Sequence, residues 1–164
     1  MREVERIARL LELTFDGQAY HGPSLLQALK DVDVGIATRR FEGGVHSIWE
    51  LVGHVTSELR HALALLEGNA EPWVAGRTTW PAPPPPSPAA WVLALSDLED
   101  ANREFVSAVE GLDDAVLDEH LSQVRRTHYV MLHGMVQHSA YHAGQISILK
   151  RQLRSADTDV VNAG

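Results

Sequence analysis

Apolar positions along the chain recur with a helical period, and no stretch shows the alternation of a strand. Val4, Ile7, Leu10, Leu11 and Phe15 share one face of a first helix, which Gly17 interrupts. Tyr20-His21-Gly22-Pro23 reads as a turn. Ser24-Leu-Leu-Gln27 then has the form of a capping box, opening a short helix over residues 25–30. Residues 31–44 are mixed and loop-like, ending in Gly43-Gly44. Ser47-Ile-Trp-Glu50 is a second capping box, with Val45 or His46 just outside it. Ile48, Val52, Val55, Leu59, Leu63 and Leu66 carry that long helix forward, and Gly68-Asn69 is its expected stop.

Residues 69–86 are expected to form a proline-rich crossover. Its core, Trp80-Pro-Ala-Pro-Pro-Pro-Pro86, is polyproline II by composition. We expect it to run along the helices with Trp73 and Trp80 packed beneath; the rival reading is a ligand for an SH3-type groove. Ser87-Pro88 supplies an N-cap and an N1 proline, and Trp91, Leu95, Leu98, Phe105 and Val109 mark a third long helix ending near Gly111. Residues 112–126 form a polar connector with room for one helical turn. A fourth long helix spans about 127–153, and the tail at 155–164 is expected to fray. The pattern predicts one all-α domain over residues 1–164, a four-helix bundle with long crossover connections.

Composition narrows the partners. A chain of 164 residues suits one domain with one core. Its net charge is −8, and no segment concentrates Lys or Arg. Without a basic face to displace counterions, nucleic acid is not an expected partner. No apolar run approaches the roughly 20 residues of a membrane span, so no membrane association is expected. The charged start, Met1-Arg-Glu-Val-Glu-Arg6, has no signal-peptide core, and the expected compartment is the cytoplasm. There is no cysteine, hence no disulfide, no thiolate ligand and no thiol nucleophile. Any metal must be held by His, Asp or Glu.

Nine histidines are present, and their placement carries the chemistry. His138, His142, Gln145 and Leu149 follow one another at i, i+4, i+7 and i+11, the spacing of a core-facing stripe. Two imidazoles one turn apart converge on a point just off the helix, as two metal ligands must. A zincin-type protease needs Glu directly after the first histidine, and Ser139 stands there. The candidate third ligand is His54, at the flank of the apolar stripe of the second long helix. The competing reading for His54 is a buried histidine bonded to a carbonyl, or to Glu50 or Glu58 one turn either side. Those two acids are open to two roles, orienting His54 or standing as solvated helix charges. His61 and His133 have weaker claims, since five steps of about 100° carry His133 well round the helix from His138. His46, His120 and His128 are expected to be capping or exposed, and His21 to be a turn residue. Tyr141 is expected to pack, and Gln145 to hydrogen-bond a ligand histidine. No general acid or base is identifiable.

Two segments together resemble a known family: His46-Ser-Ile-Trp-Glu-Leu-Val-Gly-His54 and Leu132-His-Gly-Met-Val-Gln-His138-Ser-Ala-Tyr-His142-Ala-Gly-Gln145-Ile146. With Tyr20-His21-Gly22-Pro23-Ser24-Leu25 and the Trp-Pro crossover, the chain resembles the DinB-like superfamily of damage-inducible helical-bundle proteins over nearly its whole length. The resemblance implies a four-helix bundle, a divalent metal, nickel or zinc, held by His54, His138 and His142, and a homodimer. Characterised members of that family include thiol-dependent S-transferases and a maleylpyruvate isomerase that use bacillithiol or mycothiol, and many members have no known activity. Three functions are therefore open. The first is a metal-dependent enzyme acting on a small-molecule substrate, with thiol S-transfer from a low-molecular-weight thiol cosubstrate ahead of hydrolysis. The second is a metal-binding stress-response protein without turnover. The third is a dimerising bundle whose histidines are structural. Fold alone does not choose among them.

Overall fold

Three serines start three helices. The side-chain oxygens of Ser24, Ser47 and Ser87 accept from the backbone N–H groups of Gln27, Glu50 and Ala90, at 3.4, 3.3 and 3.1 Å. At the first two, the Gln27 amide oxygen and the Glu50 carboxylate reach back to the serine N–H, closing the capping box. The computed structural model describes residues 1–41, 46–71 and 79–162. Its elements are α1 (Glu3–Asp16), α2 (Leu25–Leu29), α3 (Val34–Thr38), α4 (Ile48–Leu66), α5 (Pro88–Glu110), a single 3-10 turn at Asp114–Val116, and α6 (His128–Asn162). The fold is all-α: among the described residues the only β pairing is an isolated bridge between His120 and Thr127 within the connector.

Two boundaries differ from expectation. The loop expected over residues 31–44 contains α3, one helical turn started by Asp33, whose carboxylate accepts from Ile36 N–H at 2.8 Å. Asp31 ahead of it takes a left-handed φ of 60°, so the chain turns sharply before re-entering a helix. α6 runs past its expected end at Leu153 to Asn162, because the tail offers no glycine or proline to stop it before Gly164. The expected stop of α4 is found: Gly68 has φ 71°, and the N–H groups of Asn69 and Ala70 return to the Ala64 carbonyl at 3.0 Å. Gly43, Gly44, Val45 and Trp73, all named above, lie outside the described residues.

Each long helix packs on two others: α4 on α5 and α6, and α1 on α5 and α6, with α2 laid against α6. The shared core includes Ile7, Leu25, Ile48, Leu51, Leu59, Leu98, Phe105, Leu132 and Ile146, all fully buried. Leu10, assigned to the stripe of the first helix, is 43% exposed instead; Leu11 takes the inward position beside it. Trp91 ties α5 to the turn before α3 by donating its indole N–H to the Val32 carbonyl at 2.8 Å. Among the described residues no helix is long and apolar enough to cross a membrane. The consequence for function is the α4–α6 contact, which sets one long histidine-bearing helix against another.

Candidate metal centre

His54 lies in the second turn of α4, and His138 and His142 lie one turn apart on α6. Helix packing brings all three together. The Nε2 of His138 is 3.1 Å from the Nε2 of His54 and 3.1 Å from that of His142. One ligand nitrogen from each residue falls within 4.8 Å of the others. His54 is 7% and His142 4% exposed, and His138 is half-buried.

The outward nitrogens settle the tautomers. His54 Nδ1–H donates to the Thr79 carbonyl at 2.9 Å, and His142 Nδ1–H donates to the Gln145 amide oxygen at 2.7 Å. Each ring therefore turns a bare Nε2 lone pair inward. A His138 Nε2–H can answer only one of them, and its own Nδ1 is buried with no partner. The three neutral rings thus hold more lone pairs than protons, a mismatch that a cation resolves. Metal–nitrogen bonds of about 2.0–2.1 Å in tetrahedral geometry put ligand nitrogens roughly 3.3 Å apart, close to the spacing seen here. The residues fit a divalent ion.

Burial keeps these rings in the ligating form. Desolvation, followed by the neighbouring His142 and His54, lowers the His138 pKa from 6.5 to about 4. His142 also falls to about 4, again through desolvation, with the Gln145 bond opposing and His54 reinforcing. Trp80, arriving from the crossover, supplies much of the cover. Its indole stacks on His54 at 4.0 Å and on His46 at 3.6 Å, both nearly parallel. At those separations the two imidazoles must occupy opposite faces of the indole.

The remaining candidates sort clearly. His54 does bond to a carbonyl, as its competing reading expected, but through the nitrogen that leaves Nε2 free. Glu50 does not orient it: that carboxylate caps α4 at Ser47 and pairs with Arg40. Gln145 takes the expected place on a clustered histidine, accepting from His142 Nδ1–H. Tyr141 is 63% exposed, edge-on to His142 at 5.0 Å, so it does not pack as expected. His133 lies tilted against Tyr129 with ring centroids 4.3 Å apart, and is not one of the clustered histidines. His128 donates to the Glu119 carbonyl at 2.9 Å and His120 is exposed, whereas His46 is half-buried against Trp80 rather than free. Tyr20 and His21 are exposed and line neither cavity described next.

Two cavities flank α4 and share Ser57 and His61. The first, about 500 Å³, lies under Pro81, Pro83 and Pro84 and contains none of the three histidines. The second, about 440 Å³, ends at His138 and is walled by Leu65, Met131 and Met135, with Glu58, His61 and Arg126 around it. The Met131–Met135–His138 spacing of i, i+4, i+7 was a sequence signal for that wall; Trp80 packs beneath the crossover as expected, but its stacking on His54, the Thr79 carbonyl and Arg126 left no signal.

A family model of the DinB superfamily matches residues 21–146. The chain belongs to the DinB superfamily. The matched span runs from the turn before α2 into α6 and includes all three clustered histidines. No curated protein and no solved structure matches the chain. For this DinB-superfamily chain, the three-histidine cluster is a group able to hold a divalent metal.

Proposed function

We propose that the protein is a divalent-metal-dependent enzyme acting on a small molecule, with His54, His138 and His142 holding nickel or zinc. Thiol S-transfer is the preferred reaction, ahead of hydrolysis. The observation that carries this reading is the convergence of three lone-pair-bearing nitrogens at the end of a cavity large enough for a small substrate. Held by these three neutral imidazoles, a divalent ion would keep its full charge and would supply the Lewis acidity that favours ionisation of a thiol or water near neutral pH.

The chain's own residues do the rest. The Thr79 carbonyl and the Gln145 amide oxygen hold two rings in the ligating tautomer. Trp80 screens His54 from water on one face. Leu65, Met131 and Met135 give the substrate an apolar wall beside His138. With no cysteine in the sequence, the nucleophilic thiol belongs to a low-molecular-weight cosubstrate. The proposal includes a cytoplasmic homodimer; the exposed Val130, Tyr141 and Ile148 on α6 support the dimer.

Elemental analysis of tag-free protein, paired with a screen of small thiols against chlorodinitrobenzene, tests the reading. Bound metal with thiol-dependent turnover is the expected result. Bound metal with no turnover across the panel favours a non-catalytic metal-binding stress-response protein. No metal, and no change on His54→Ala, favours a bundle with structural histidines.

A further inference from the structure

The cavity lined in part by His138 holds two opposite charges, neither of them paired among the described residues. Glu58 stands one turn beyond His54 on α4 and is half-buried. Arg126 comes from the connector and sits exposed at the same cavity. Among the described residues neither side chain makes a hydrogen bond or an ion pair, with the other or with any third group. Acids are not scarce: the chain has 22 Asp and Glu against 14 Lys and Arg. Arg2, Arg6, Arg9, Arg40, Arg60 and Arg103 each lie against a carboxylate. Arg126 faces a cavity instead. The other titratable groups lining it are His61, also without a partner, and His138. The rest of the wall is largely apolar, from Ala62, Leu65, Val124, Met131 and Met135.

A ligand carrying a single charge would answer one of these two groups and forgo the attraction of the other. A ligand carrying both answers both. We propose that this cavity binds a zwitterionic small molecule, Arg126 pairing with its carboxylate and Glu58 with its ammonium group. Guanidinium suits a carboxylate because its fork can donate two parallel hydrogen bonds, and a carboxylate accepts from ammonium as a charge-assisted pair. The third substituent then extends along the methionine wall toward His138. This rests on the function proposed above, and narrows its thiol cosubstrate to an amino-acid-like aminothiol.

The test is calorimetric titration of zinc-loaded and metal-free protein with L-cysteine, cysteamine and 3-mercaptopropionate, which differ only in which charges they carry. Zinc content is measured before and after each titration. L-cysteine should bind about tenfold or more tightly than either truncated thiol, the scale of one charge-assisted pair. Arg126→Ala should weaken L-cysteine and 3-mercaptopropionate while leaving cysteamine unchanged. Glu58→Gln, which keeps the side chain's shape, should weaken L-cysteine and cysteamine while leaving 3-mercaptopropionate unchanged. Equal binding of all three thiols, or a variant that weakens all three alike, overturns the proposal. Zinc retained without discrimination sinks the charge pair and leaves the metal reading standing; discrimination without zinc retention does the reverse.

Discussion

His138 differs from its two partners in having nothing on its outer nitrogen. His54 and His142 spend Nδ1–H on the Thr79 carbonyl and on Gln145, whereas His138 Nδ1 is buried and alone. The site's rigidity therefore rests on the two partnered rings. His142→Ala should abolish metal retention, because two imidazoles hold a divalent ion poorly, and elemental analysis of the dialysed variant checks it. Gln145→Leu should weaken metal binding by roughly 10–100-fold, the usual effect of removing a hydrogen bond to a ligand histidine; equilibrium competition with a chelator reads this out. Protons give a second handle. His138 and His142 titrate near 6.5 when unfolded and about 4 when folded, so between those values the unfolded chain binds more protons. Stability of the metal-free protein is thus full above about pH 6.5 and declines as pH falls through that window toward 4. Urea midpoints measured across it should drop on acidification; a flat profile would contradict the buried neutral pair. The histidine pair and His54 were legible because helical spacing fixes which side chains share a face. That Trp80 packs under the crossover was legible, but its stacking on His54 and the Thr79 carbonyl's bond to that ring were not, because a crossover's approach to a helix leaves no periodic trace.

At the scale of elements, what was read most accurately is what is encoded locally. Ser24, Ser47 and Ser87 each bond within three residues of themselves, so the starts of α2, α4 and α5 stand in the sequence. α1 is different. The backbone N–H groups of Glu3 and Val4 both donate, at 2.9 Å, to the Asp114 carboxylate, whose pKa they lower. That cap comes from the 3-10 turn after α5, 110 positions from Val4 in sequence, and no local pattern announces it. Asp114→Ala should speed amide hydrogen exchange at the first turn of α1 and leave α4 unaffected; uniform exchange along α1 in both proteins would show that the cap is idle. Ser47→Ala should cost about 1 kcal/mol of stability, as loss of an N-cap usually does, and chemical denaturation measures it. Because α4 carries His54, the same variant should also loosen metal binding, which a merely peripheral cap would not do.

Across the whole molecule, the cavity beside His138 was the least legible feature. Its walls come from α4, the connector and α6, and only packing says that Glu58, Arg126 and Met135 face one space. The same long-range assembly predicts how folding and metal are coupled. His54 and His138 are 84 positions apart in sequence and 3.1 Å apart in the fold. An unfolded chain can offer an ion the neighbouring pair on α6 but not a third nitrogen at fixed distance, so binding favours the native state strongly. At a free ion concentration of 100 times Kd, that linkage contributes about 2.7 kcal/mol. For a domain of this size each kcal/mol raises Tm by about 2–4 °C, so saturating zinc or nickel should lift Tm by roughly 5–10 °C. Excess chelator should reverse the rise. His54→Ala removes the one clustered imidazole that α4 supplies, so it should fold yet lose most of the metal-dependent increment. If that variant gains the full increment, the ion binds elsewhere and the three-histidine centre is not its site.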